Sequence, residues 1–184
     1  MTQAARNRNA LRSQRLIREA FVSLAIDQHR LKPTVADLCR EADINRSTFY
    51  AHYDNIEDLT DKLFHQYLQG YADWLASALE EDFLSDPLPH LTRLGLYIEE
   101  NRRLLQAFMA IGARDDSGYG FGMAVRGVLL PVMGDIDSHR LLRFDLICSA
   151  LTSVYFTWFV GSYDGVTLDE VNRVMAGVIL GKRD

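Results

Sequence analysis

Between one turn signal and the next, the apolar residues of this chain recur three and four positions apart, and no segment alternates as a half-buried strand would. That periodicity confines the chain to packed helices. Ile17, Phe21, Leu24 and Ala25 form one stripe, with Leu16 and Ala20 beside it, on a helix expected over about residues 8–28. Lys32-Pro33-Thr34 breaks it. Thr34 with Asp37 is an N-cap pair opening a short helix, with Val35, Leu38 and Ala42 inward. Asp43-Ile44-Asn45 interrupts after about two turns, and Asn45 caps a second short helix over 46–53. Asn55 with Asp58 opens a longer helix, about 56–82, where Leu59, Leu63, Phe64, Tyr67, Tyr71, Trp74, Leu75 and Leu79 recur at helical spacing. The break at 85–89 is firm, since it holds two prolines. Helices are expected near 88–100, 102–112 and 120–132, then a long apolar one from Ser138 to about Tyr163. Thr167 with Glu170 is a capping box for the last, 168–181. The total is about nine helices. The expectation is an all-α protein in two parts, 1–55 and 56–184, with the physical division inside or just after the helix that opens the second.

A length of 184 residues suits one domain of ordinary size or two small ones. Apolar residues at 48% and charged residues at 24% give a globular balance, so disorder is expected only in the first few residues. Cys39 and Cys148 lie far apart and form neither a disulfide framework nor a CxxC site, which suits a reducing, cytoplasmic setting. No apolar run reaches about 18 residues, and no signal-peptide core follows the N-terminal arginines; no membrane association is expected.

The net charge of −5 hides an asymmetry. Residues 1–18 carry Arg6, Arg8, Arg12, Arg15 and Arg18 and no acid. Through Arg46 the balance is 9 basic against 5 acidic residues, or +4, and the remainder carries 11 against 20, or −9. A basic N-terminal part needs a reason. A solvated helix face is the bland one; an acidic partner is the other.

The stretch "INRSTFYAHYDN" (44–55) favours the partner. Two short helices joined by a tight turn are the layout of a helix-turn-helix, whose second helix enters the DNA major groove. Phe49 and Tyr53, four apart, supply its inward face. The opposite surface then holds Arg46, Ser47, Tyr50 and Ala51, with Thr48 and His52 at the flanks. Arg46 comes first after the cap and can pair bidentately with a guanine edge. Ser47 and Thr48 can donate to phosphate or bases, and Tyr50 and His52 can reach phosphate. The helix starts at Thr34, Asn45 and Asn55 present backbone amides to phosphate. The arginines of the first helix would supply the salt-sensitive, sequence-independent part of affinity.

The run "TVADLCREADINRSTFYAHYDNIEDLTDKLF" (34–64) resembles the DNA-binding signature of TetR/AcrR-type transcriptional regulators. Its most specific part is Thr-Phe-Tyr-x-His-Tyr at 48–53, in the place of the family's Thr-Leu/Phe-Tyr-x-x-Phe/Val element. The similarity covers about residues 10–64. It implies an N-terminal three-helix helix-turn-helix DNA-binding domain, then a C-terminal helical ligand-binding and dimerisation domain. Two positions depart from the pattern. Asp43 stands where the family often has Gly, in a turn that needs a left-handed backbone. Ile56 stands where the family often has a phosphate-binding lysine, with Asp54, Glu57 and Asp58 around it.

An enzyme would start from His52 with Asp54, or Asp61 with His65. No nucleophile motif, phosphate loop or paired-His metal motif accompanies them, so neither catalysis nor a metal is expected. The second part is rich in aromatic residues and methionine. Most of these fill a core; the functional alternative is an apolar effector pocket between helices, with Trp74, Tyr97, Phe108, Met109, Phe121, Met123 and Tyr155 as candidate lining. The penultimate helix is apolar on nearly all sides, and the last repeats the pattern with Ala176 and Gly177. Part of that surface is expected to meet a second subunit, two helices from each chain. The expectation is therefore a ligand-responsive, homodimeric DNA-binding regulator on a near-palindromic double-stranded operator, acting as a repressor, with no cofactor beyond an unidentified small-molecule effector. The alternative is an adaptor or coregulator that keeps the fold without most of the DNA affinity.

Overall fold

The computed structural model describes residues 3–30, 32–80, 83–112 and 118–181, the side chains of 3–6, 79–80, 112 and 118–123 excepted. Among the described residues the protein is all-α, with nine α-helices and no strand. These are α1 (Gln3–Val22), α2 (Val35–Glu41), α3 (Arg46–Tyr50), α4 (Ile56–Glu80), α5 (Pro87–Glu100), α6 (Arg102–Gly112), α7 (Gly118–Leu129), α8 (Ser138–Phe159) and α9 (Leu168–Ile179). A π-helical turn, Ser23–Asp27, prolongs α1, and a 3-10 turn, Leu130–Met133, follows α7.

Several boundaries differ from those expected, those of α1, α3 and α8 among them. Helix α1 starts five residues early, because nothing in the arginine-rich segment stops it. Helix α3 closes at Tyr50, little more than one turn. Helix α8 ends at Phe159 rather than near Tyr163. Gly161 adopts φ +78°, its amide bonds Trp158 O at 3.0 Å, and the Ser162 amide bonds Thr157 O at 3.1 Å. That pair of bonds is a Schellman stop, and glycine supplies its left-handed residue without a Cβ clash.

The chain forms two compact units, Met1–Gln66 with Asn101–Asp115 and Tyr67–Glu100 with Asp116–Asp184. The first half of α4 and all of α6 therefore belong with the N-terminal helices, beyond the expected boundary at residue 55.

In the first unit the core is Ile17, Phe21, Leu24, Leu38, Phe49 and Leu59, all buried. Each such side chain contributes about 1.5–3 kcal/mol by leaving water. The stripe on α1 is the one its spacing predicts. Helix α6 closes this core. Phe108 packs its ring edge on Phe64 at 5.4 Å between centroids and lies 6.2 Å from Phe21. Arg103 Nη2 lies 2.7 Å from both carboxylate oxygens of Asp27, and Arg18 Nη2 donates to Asn101 Oδ1 at 2.8 Å.

In the second unit α5 packs on α9, and α8 packs on both α7 and α9. Leu91, Leu94 and Ile98 of α5 are buried, as are Phe144, Leu151 and Phe159 of α8. The buried Tyr155 hydroxyl lies 2.6 Å from Asn172 Oδ1 and 3.2 Å from Leu91 O, so one phenol joins α8, α9 and α5. Gly70 is required by close approach. A Cβ there would sit 2.2 Å from the Tyr97 ring, which is stacked on Tyr67 and hydrogen-bonded to the Tyr67 carbonyl at 2.6 Å.

Candidate nucleic-acid interface

Two caps and one turn build this site. At the start of α2, the Thr34 hydroxyl accepts from the Asp37 amide at 3.2 Å, and Asp37 Oδ2 accepts from the Thr34 amide at 3.0 Å. The same Oδ2 accepts from the Thr34 hydroxyl at 2.7 Å, while Arg40 Nη2 donates to Oδ1 at 2.7 Å. Arg30 completes the set with an ion pair to Asp37. These donors, Thr34 foremost, hold the Asp37 carboxyl well below the usual carboxylate range although the residue is buried. The Thr34–Asp37 cap is the one its spacing predicts; Arg40 stands at i, i+3 from Asp37, whereas Arg30 carries no periodic signal.

Helix α2 ends by a Schellman motif. The Ile44 amide bonds Cys39 O at 3.0 Å and the Asp43 amide bonds Arg40 O at 3.4 Å, with Asp43 itself at φ +50°. Aspartate thus occupies the left-handed position directly, as the departure from glycine requires.

Asn45 then caps α3. Its Oδ1 accepts from the Thr48 amide, the Thr48 hydroxyl and the Ser47 hydroxyl, each at 2.7 Å. The two hydroxyl hydrogens expected to serve DNA are therefore turned back onto the cap, which leaves Ser47 and Thr48 as acceptors until those bonds switch. Phe49 and Tyr53 are buried, with ring centroids 5.7 Å apart. Arg46, Ser47, Tyr50 and Ala51 are exposed, and Thr48 and His52 are intermediate. Tyr50 is 55% exposed, with its ring edge on Phe49. Among the described residues no carboxylate pairs with Arg46. All eight candidate interface residues, Thr34 included, lie on or beside α2 and α3.

The acidic corner after α3 is built differently from its sequence. Asn55 Oδ1 accepts from the Asp58 amide at 2.8 Å, and Asp58 Oδ2 accepts from the Asp54 amide at 2.9 Å. Lys62 Nζ donates to Asp58 Oδ2 at 2.8 Å and to His52 O at 3.1 Å, and lies 5.5 Å from the Tyr53 ring centroid. The Lys62 and Asp54 donors lower the Asp58 carboxyl, and Asp58 in turn raises the Lys62 ammonium. Of the three acids around Ile56, one is thus a neutralised cap. Sequence reading missed Lys62, although its i, i+4 spacing from Asp58 is a legible signal.

The candidate effector residues are not brought together in one unit. Trp74, Tyr97 and Tyr155 belong to the second unit, Phe108 and Met109 to the first. The Trp74 indole donates to His90 O at 2.7 Å, and the Tyr97 and Tyr155 hydroxyls are held as described above. The side chains of Phe121 and Met123 lie outside the described residues. Burial pushes the Tyr155, Tyr67 and Tyr71 phenols up, so all three stay neutral, and Tyr67 donates to the Tyr71 hydroxyl at 3.2 Å. Among the described residues no group of three His, Cys, Asp or Glu is placed to hold a metal ion, and no helix is long and apolar enough to cross a membrane. Compared with known proteins, the chain matches no family model, no curated protein and no solved structure.

Proposed function

We propose that this protein is a sequence-specific DNA-binding transcriptional regulator, a repressor that acts in the cytoplasm as a homodimer and responds to a small molecule. The carrying observation is the division of α3 and the turn that follows it into a buried Phe49/Tyr53 side and an exposed Arg46/Ser47/Tyr50/Ala51 side, behind the Asn45 cap. A five-residue helix with an unpaired arginine in its first turn suits base-edge readout better than core packing. The exposed Arg8, Arg12 and Arg15 of α1 supply sequence-independent attraction to phosphate.

The second subunit covers the apolar surface of the last two helices. Leu142 and Leu146 of α8 and Val174 and Val178 of α9 are more than half exposed, at i, i+4 spacing on each helix. A dimer formed by pairing them across a two-fold axis carries two copies of α3, and an operator for such a dimer is near-palindromic. Helix α4 contributes residues to both units, which suits a lever. An effector bound by the second unit would favour a state with the two α3 helices misspaced.

Selection of genomic fragments at graded salt tests this reading. A regulator enriches discrete fragments, releases them steeply as salt rises, and loses them on Arg46→Ala or Tyr50→Ala. A second reading, an adaptor without direct DNA affinity, is favoured by Ile56 and the acids Asp54 and Glu57. It predicts no enriched fragment at any salt.

A further inference from the structure

A helix as short as α3 cannot hold its own orientation, because one turn forms too few hydrogen bonds to offset its ordering. Phe49 fixes its underside. Its far end, where carbonyls lack intrahelical donors, needs another anchor. Lys62, two turns into α4, provides one. Its ammonium bonds the His52 carbonyl at 3.1 Å, just past the end of α3, where a cation also suits the helix dipole. The same nitrogen bonds Asp58, whose carboxylate in turn receives the Asp54 amide. The three contacts with His52, Asp58 and the Tyr53 ring span the whole connection from α3 to α4.

We propose that Lys62 is a positioning residue for DNA recognition: it fixes the exit of α3 against α4 and neutralises Asp58, without itself contacting phosphate. The inference rests on the DNA-binding reading. Two of its three donors are engaged within the protein, and releasing them to meet a phosphate would free the α3 exit and expose the Asp58 charge beside the DNA.

The test uses the full chain, a duplex selected from a random-sequence pool by the wild type, and the variants Lys62→Met and Lys62→Arg. Position 62 is half exposed, so Lys62→Met keeps the packed stem and the fold. Hydrogen exchange at the Tyr53 amide, which bonds Phe49 O at the α3 exit, should quicken about tenfold in Lys62→Met, the worth of the lost charged bond to His52 O, and return toward wild type in Lys62→Arg. Affinity for the selected duplex should fall by a similar factor in Lys62→Met, with the slope of log affinity against log salt unchanged. Unaltered exchange overturns the proposal. So does a slope reduced by about 0.9, the signature of a lost phosphate contact. A wild type that enriches no duplex defeats the regulator reading and this inference with it. A wild type that enriches one, with Lys62→Met binding equally well, defeats this inference alone.

Discussion

The helix-turn-helix and the second unit both cap helices locally, the second at Asp137 and at Thr167–Glu170, but they differ in the reach of the bonds that dominate each. Around α2 and α3 the organising contacts are local: Thr34 with Asp37, Asn45 with Thr48, Asp58 with Lys62, each three or four residues apart. In the second unit they are remote, with Tyr155 and Leu91 separated by 64 residues, Tyr97 and Tyr67 by 30, and Trp74 and His90 by 16. Local capping sets both where a helix starts and which face it shows. Remote contacts set only what an already formed helix packs against. The first kind fixes the direction of exposed side chains; the second fixes a core and leaves apolar side chains such as Leu146 and Val178 exposed on the outer helices.

Breaking that contrast should start at Phe49. Its side chain is fully buried beneath α3, so Phe49→Ala should destabilise the protein by about 3–5 kcal/mol in urea unfolding. Gly70→Ala probes the second unit. Alanine favours a helix by about 0.8–1 kcal/mol, but its Cβ would displace a Tyr97 ring fixed by stacking and by its hydroxyl bond. Overpacking of about 1–3 kcal/mol should prevail, lowering the melting temperature. Neither effect depends on pH near neutrality.

Asp37 supplies the pH dependence. Its folded-state carboxyl titrates below its unfolded value of about 3.9, so its stabilisation is complete above that pH and is lost as pH falls below it. Melting temperature should drop on acidification below about pH 4, and Asp37→Asn should flatten that drop. The smallest effect is a gain. Asp43 holds φ +50°, so Asp43→Gly should stabilise by about 0.5–1 kcal/mol, read as a raised urea midpoint.

The same contrast explains what the sequence made legible. The caps at Thr34, Asn45 and Asn55, the stripe Ile17/Phe21/Leu24, and the exposed and buried sides of α3 follow from spacing alone, because each rests on residues within one or two turns. The end of α8 was missed because apolar residues continue through Val160, whereas the helix stops before the left-handed Gly161. The effector residues were drawn as one set because aromatic character reveals burial but not partner. Phe108 packs with Phe21 and Phe64, a relation no periodicity encodes. Lys62 lay between these cases: its pairing with Asp58 is local, but its bond to the His52 carbonyl crosses a turn.

We propose that α3 reads DNA as one of a two-fold pair. Hydroxyl-radical footprinting of the wild type on its selected duplex tests it most directly. Two protected patches are expected, with centres about 10–10.5 base pairs apart or a multiple of that, both lost on Arg46→Ala at equal protein concentration. A single or featureless protection, or a footprint that Arg46→Ala leaves intact, would contradict it.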